Sequence, residues 1–308
     1  MGDAQGVTAS SVTATRRRRF RAAATGRRPA AGPWAIPAVA LVAVLLYVPF
    51  LWTVVLGFTR FDGLSNPVFV GLRNYSDFLQ DPVAPTALRN TLLWVAGALV
   101  LPVGLGLLVA ALTWDLRHGT LYRLPFLLPY AFSGAGVAVV WGYIFQPQGA
   151  ANTVLSLLGL PGGHTSLLLY APGNTIALIV ASAWQQVGVN ALLFVVGLQS
   201  LPREPLEAAR LDGAGEVQLF RYVTWPLLRP LAAVVIGLAL VASLKTFDIV
   251  WVMTQGGPGN SSETLAVTMY KQTFVANLYG YGSAIAVLLT VVTGLATISY
   301  LRWQVLSR

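Results

Sequence analysis

Six stretches of this chain are long and apolar enough to cross a lipid bilayer, and lipid permits few folds. Inside hydrocarbon every backbone N–H and C=O must be paired within the protein, which leaves helices and closed barrels. A bilayer core of about 30 Å takes roughly 20 apolar residues per helix. Trp34 to Phe58, Thr91 to Trp114, Leu124 to Phe145, Thr175 to Gln199, Leu231 to Thr254 and Gly282 to Leu301 meet that requirement. The fifth stretch carries Lys245 and Asp248. No Lys, Arg, Asp or Glu occurs between Arg123 and Arg203. Polar punctuation from Gln146 to Asn174, with Gly162-Gly163 and Pro172-Gly173, divides that length into two spans. A short interfacial helix is expected over Val154 to Leu160. The expected fold class is all-α integral membrane, with six transmembrane helices.

Composition excludes most alternatives. Only 10% of the residues are charged, against about 25% in a soluble domain. That is too little charge to cover a water-facing surface. It argues against a soluble enzyme, a disordered chain and a nucleic-acid binder, despite the net charge of +9. The chain has no cysteine, which removes disulfides, thiolate metal sites and cysteine nucleophiles. His118 and His164 are its only histidines, so a His-rich metal site is excluded as well.

The basic residues set a direction. With the N-terminus inside, the cytoplasmic segments hold fifteen. These are Arg16, Arg17, Arg18, Arg19, Arg21, Arg27, Arg28, Arg117, Arg123, Arg203, Arg210, Arg221, Arg229, Arg302 and Arg308. The outside segments hold four, Arg60, Arg73, Arg89 and Lys271. Positive residues concentrate on the cytoplasmic side of membrane proteins, so both termini are expected inside. Residues 1–30 read as a disordered basic cytoplasmic tail. Arg17-Arg18-Arg19-Phe20 has the look of a twin-arginine export signal. However, the span after it is long for a signal segment and no small-residue cleavage site follows, so an inside anchor is the preferred reading.

The long inside loop, residues 200–228, carries the most information. Pro205 suits the start of a helix, and Glu204 and Glu207 lie near its positive end. Asp212-Gly213 is a stop signal. A second short helix is expected from Glu216 to Tyr222, with Pro226 opening the fifth span. Two short helices joined at glycine and lying along the membrane face would make a knob for a partner's groove, and Gly213 permits both the turn and close approach.

This loop resembles the signature of binding-protein-dependent ABC importer permeases: Glu-Ala-Ala, three residues, Gly, nine residues, then Ile-x-Leu-Pro. Here it reads Glu207-Ala208-Ala209, Gly213, then Val223-Thr224-Trp225-Pro226. Val replaces Ile and Trp225 replaces Leu. Other segments in matching order resemble the carbohydrate-uptake branch, the maltose- and glycerol-3-phosphate-type permeases. They are Phe69 to Tyr75, Arg89-Asn90-Thr91-Leu92, Pro125 to Pro129, Gly197 to Ser200, Phe247-Asp248, Gly256 to Gly259 and Glu263-Thr264. The resemblance covers roughly residues 34–305.

The resemblance implies an ABC type I importer permease fold with a permease domain over 31–308, and half of a translocation pathway for a sugar, oligosaccharide or polyol. It assigns Glu207, Ala208, Ala209, Asp212, Gly213, Ala214 and Pro226 to contact with a cytoplasmic ATPase dimer. It further implies a second permease subunit of the same family, giving a heterodimer in the cytoplasmic (inner) membrane, and an extracytoplasmic solute-binding protein. A phosphate-binding loop would read Gly-x4-Gly-Lys-Ser/Thr. Lys245 follows Leu244 and Lys271 follows Tyr270, so neither lysine fits. No cofactor is expected on this chain, and ATP and Mg belong to the partner.

Polar side chains within spans are costly and usually face protein or water. Lys245 and Asp248, three apart, are expected on one helix face. They form either a neutralising pair at a helix contact or a pair lining the pathway. Gln185, Gln186 and Asn190 suit sugar hydroxyls, since amides both donate and accept, but amides also join helices to one another. Trp184 could stack on a sugar or simply pack. Gly256, Gly257 and Pro258 form an outward loop that reads either as a docking contact for the binding protein or as a plain connector. A self-sufficient secondary transporter and an integral-membrane enzyme are the competing functions. The first would need a coupling-ion site within this chain and leaves the long loop unexplained. The second lacks the clustered acids and histidines to do chemistry.

Overall fold

The computed structural model describes residues 32–159 and 166–306, with side chains over 36–159 and 166–304. The expected tail over 1–30, Leu160 and His164 lie outside the described residues. The chain divides into two units, Met1–Trp52 and Thr53–Arg308.

The first span helix, α1 (Ile36–Gly57), is followed by a two-stranded antiparallel hairpin of β1 (Thr59–Arg60) and β2 (Val68–Phe69). At the hairpin's tip the Asp62 carboxylate accepts hydrogen bonds from the Ser65 amide and hydroxyl and the Leu64 amide. These donors, chiefly Ser65, hold its pKa down to about 2. The rest is helical: α2 (Arg73–Gln80), α3 (Ala84–Thr113), α4 (Gly119–Leu127), α5 (Gly134–Ile144), α6 (Ala150–Leu157) and α7 (Gly173–Gln199) come first. They are followed by α8 (Arg203–Leu211), α9 (Glu216–Leu219), α10 (Trp225–Leu244), α11 (Asp248–Thr254), α12 (Leu265–Tyr270) and α13 (Tyr279–Leu306). The all-α expectation therefore holds apart from the small hairpin.

Three expected helices are reshaped. The third span is not one rod: Gly119–Ala131 and Gly134–Ile144 meet at a bend of 100°. Pro125 and Pro129 weaken the first arm by withholding amide donors. Ser133 starts the second arm by accepting from the Gly136 amide at 3.1 Å. The fifth span is interrupted at Lys245, Thr246 and Phe247. The interfacial helix lies at Ala150–Leu157, ahead of the expected Val154 to Leu160.

Prolines also explain two wide turns. The π-helical turns Ala43–Tyr47 and Phe220–Thr224 each end two residues before a proline, Pro49 and Pro226. A proline cannot donate to the carbonyl four residues back and crowds it, and a π turn absorbs that mismatch. Accordingly the Trp225 amide reaches back five residues to Phe220 O.

In the second unit the main packing is α3 against α7, made close by glycine. A Cβ on Gly106 would lie 2.6 Å from Asn190 Cβ, and one on Gly97 2.5 Å from Ile179 Cγ2. A Cβ on Gly188 would overlap the Phe126 carbonyl of the bent third span. Small residues let transmembrane backbones approach, since lipid gives no hydrophobic drive for helices to associate. Phe194, Leu198, Leu228 and Val235 fill one core, and Trp94, Leu178, Val250 and Val267 another. Gly188→Leu is expected to cost about 1–3 kcal/mol or more, because a backbone carbonyl cannot rotate away. Gly104→Leu, with nothing within 4 Å of its Cβ, serves as the neutral control. Melting of the purified complex in detergent measures both, and equal Tm values would refute the packing account.

Candidate functional site

Three groups of residues in the second unit lie where chemistry or contact is available. The first is α8 and the turn after it. Pro202 precedes the helix in extended conformation, Glu204 sits in its first turn and Arg210 in its last, matching the helix dipole. The helix ends in a Schellman motif. The Gly213 amide donates to Arg210 O at 3.1 Å, and the Ala214 amide to Ala209 O at 3.0 Å. Gly213 supplies the required left-handed residue, with φ of +84°. Leu206, 6% exposed, is the buried anchor. Glu207, Ala208, Asp212, Gly213 and Pro226 are exposed, and Ala209 and Ala214 are half-buried. Around them Leu211 and Val217 stand 89% and 81% exposed, a display of apolar surface that suits a covering partner. A cavity of about 400 Å³ separates α8 from Trp114 and Leu198 at the ends of the main helices.

One expectation about this loop is corrected. The stretch from Glu216 is not a separate helix along the membrane face. It passes through α9 and the π turn directly into α10, so it is the first part of the fifth span. A four-residue turn at Gly213 joins α8 to that span, bridged by an exposed Arg210–Glu216 pair at 3.6 Å.

The second group surrounds the two helix breaks. Gln185 Nε2 donates to Phe132 O at 2.7 Å, satisfying a carbonyl freed by the bend in the third span. Gln186 Nε2 donates to Ser182 Oγ at 2.7 Å, and Asn190 Nδ2 to Gln186 O at 3.0 Å. Asn190 is buried against Gly106. Trp184 packs edge-on to Trp141, with centroids 5.9 Å apart. Lys245 and Asp248 do not share a helix face, because α10 ends at Leu244 and α11 begins at Asp248. No ion pair joins them among the described residues, and both are exposed. The Asp248 carboxylate lies against Gly134, where a Cβ would be 3.1 Å from Oδ2. A carboxylate at the first residue of a helix is favoured by the free amides and dipole there.

The third group is the loop from Gln255 to Glu263. Gln255, Gly256, Gly259 and Asn260 all adopt positive φ, which folds the chain tightly back. Asn90 Nδ2 donates to Ser261 O at 2.8 Å and Glu263 O at 2.9 Å. Asn174 Nδ2 donates to Ser261 Oγ at 2.7 Å. Lys271 Nζ donates to Glu263 Oε2 at 2.6 Å and Asn260 Oδ1 at 3.1 Å. Gly256 is buried against this pair, Gly257 is half-buried and Pro258 is exposed. The loop is thus a pinned structure with an exposed tip. Sequence reasoning missed Asn90, Asn174, Glu263 and Lys271 as its fastenings. Their signal was position: amides and charges at span ends, where a buried polar group needs partners.

The family model described as "Binding-protein-dependent transport system inner membrane component" matches residues 6–306, farther toward the N-terminus than the motifs reach. A probable ABC transporter permease protein of Pyrococcus horikoshii is 34% identical over 275 residues, 87% of this chain and 93% of that protein. The multiple sugar-binding transport system permease protein of Streptococcus mutans is 35% identical, covering 84% and 89%. The sn-glycerol-3-phosphate transport system permease protein of Yersinia pseudotuberculosis is 33% identical, covering 86% and 91%. In fold, the chain matches a bacterial ABC transporter involved in the import of the acidic polysaccharide alginate. The TM-score is 0.76 at 19% identity, over 88% of this chain and 93% of that one. The chain therefore belongs to the family of binding-protein-dependent transport system inner membrane components and has the permease fold of ABC type I importers.

Proposed function

We propose that this chain is one permease subunit of an ATP-driven importer that carries a carbohydrate (a sugar, oligosaccharide or related polyol) across the cytoplasmic membrane. It catalyses no reaction itself. A second permease of the same family supplies the other half of the pathway. A separate cytoplasmic ATPase dimer binds ATP and Mg, and an extracytoplasmic solute-binding protein delivers the solute. Residues 1–30 form the basic tail, residues 31–308 the permease domain, and both termini lie inside, as the fifteen-to-four distribution of basic residues favours.

The observation that carries the reading is α8: a glycine-capped helix fastened by Leu206, with Glu207 and Ala208 turned outward and one turn separating it from the fifth span. Such an element transmits force between an ATPase and the bundle, in both directions, because coupling between sites is reciprocal. The carbohydrate class is supported by relatives named for sugar and glycerol-3-phosphate transport. Non-helical backbone at membrane depth persists where protein covers it or water reaches it. Lys245 and Asp248, exposed at the break of the fifth span, accordingly line the pathway. Gln185 ties the neighbouring break to α7, whereas Gln186 and Asn190 spend their amide donors within α7 itself. The tip at Gly257 and Pro258 meets the binding protein.

Reconstitution tests this. Vesicles holding both permeases and the ATPase should accumulate labelled sugar only with ATP, Mg and the binding protein. A secondary transporter would instead concentrate solute on an ion gradient with this chain alone, and that result would overturn the proposal.

A further inference from the structure

The start of α10 and the end of α13 form a cleft with an unanswered charge. Tyr300 on α13 ties the two helices by donating its hydroxyl to Ala233 O at 2.9 Å. Beside that tie is a cavity of about 600 Å³. Its cause is in the sequence: Pro226, Pro230 and Ala233 recur at the spacing of one helix face, and none has a long side chain to fill the gap. Trp225 and Trp303 also line the cavity, and Trp303 is 68% exposed. The charged residue in the lining is Arg229, which is exposed and makes no ion pair among the described residues. No Asp or Glu occurs from Val217 to Phe247 or from Thr264 to Arg308, whereas Arg221, Arg229 and Arg302 stand near these two helix ends. A counter-charge for Arg229 must therefore come from outside the two helices.

Along α10 the cavity runs from Trp225 to Ile236, about 16 Å of helix. That is roughly half of the ~30 Å hydrocarbon core, the depth of one leaflet. Tryptophan concentrates at headgroup level because its ring is apolar with one polar edge. Side chains tilt toward the N-terminus of their helix, so Arg229 leans toward the Trp225 end and the same level. A guanidinium presents paired N–H donors to phosphate oxygens, and basic pockets between membrane helices favour anionic headgroups. Deeper in, Pro230, Ala233 and Ile236 offer an apolar wall. An uncharged helix laid over the cleft would cover that wall but leave Arg229 without its counter-charge.

We propose that the cleft between α10 and α13 binds an anionic phospholipid, with its phosphate on Arg229 and one acyl chain along Pro230, Ala233 and Ile236. Bound there, the lipid braces α10 against α13. The inference goes beyond transport and does not need the solute to be a sugar. The test uses the complete complex purified in detergent and titrated with dioleoyl phosphatidylglycerol or dioleoyl phosphatidylcholine. Native mass spectrometry reads the binding and Tm reads the brace. The wild type should bind phosphatidylglycerol more tightly than phosphatidylcholine and melt higher with it. Arg229→Gln should weaken phosphatidylglycerol roughly fivefold and abolish its advantage. Ile236→Phe, which fills the apolar wall, should weaken both lipids. Arg117→Gln removes an exposed charge outside the cleft and should do neither. Wild-type affinity of Arg229→Gln for phosphatidylglycerol overturns the site. So does an equal loss in Arg117→Gln, which would mark general surface attraction, or the same Tm gain from inorganic phosphate, which would mark a free anion. Loss of the second permease from the Arg229→Gln complex makes the cleft a subunit contact and overturns it too. A complex that binds the lipid as expected but moves no carbohydrate overturns the functional reading and leaves the site standing.

Discussion

Glu207→Lys should abolish ATP-driven uptake while leaving the protein folded. Glu207 is exposed on α8 and makes no ion pair among the described residues, so reversing its charge breaks no such pair within the fold. In the proposed complex it is covered by the ATPase. Truncating one member of a buried charged contact costs about 2–5 kcal/mol, and reversing its sign adds repulsion. A weakening of that size reduces coupling by roughly thirty- to several-thousandfold. Uptake and binding-protein-stimulated ATPase activity should both fall to background, with the Tm of the purified subunit unmoved. Arg210→Ala is the contrasting case. Its partner Glu216 is 80% exposed and the pair spans 3.6 Å, a contact worth about 0–1 kcal/mol. If Glu207→Lys transports as well as Arg210→Ala, α8 is not the force-bearing contact.

The same helix shows what a sequence can convey. Spacing located the Glu-Ala-Ala to Gly segment because a Schellman cap demands glycine at one position, and Gly213 occupies it at φ +84°. The segment after it was misjudged. Pro226 reads as the start of a span, yet the π turn at Phe220–Thr224 carries the helix through from Glu216. Local proline rules do not reveal that a widened turn has absorbed the missing donor. The breaks at 132–133 and 245–247 were invisible for a related reason. Apolar composition satisfies lipid whether the helix is straight or bent, and the bend is fixed by a distant side chain, Gln185, that pairs the freed Phe132 carbonyl. The polar amides at positions 185, 186 and 190 were legible as polar residues in a span. Their partners, a carbonyl of the bent third span for Gln185 and a hydroxyl and a carbonyl of α7 itself for Gln186 and Asn190, came from three-dimensional pairing.

The pair at the outer loop gives the sharpest stability test. Glu263 is 3% exposed, whereas Lys271 is 27% exposed. Lys271→Met therefore strands a carboxylate out of reach of water, and breaking a buried pair in this way costs about 3–5 kcal/mol. That is a large part of the roughly 5–15 kcal/mol that holds a domain folded. Glu263→Gln leaves the lysine, which can extend toward solvent, so its cost should be clearly smaller. The double variant should recover most of the loss, because a neutral pair leaves no buried charge. Denaturation in detergent measures all three. The loop's exposed tip depends on this clamp, since Lys271 also fastens Asn260 and Gly256 lies against both charges. Stimulation of the ATPase by the binding protein should then fall in the order of stability, with Lys271→Met worst. If Glu263→Gln proves as damaging as Lys271→Met, the asymmetry of burial is not what governs the clamp.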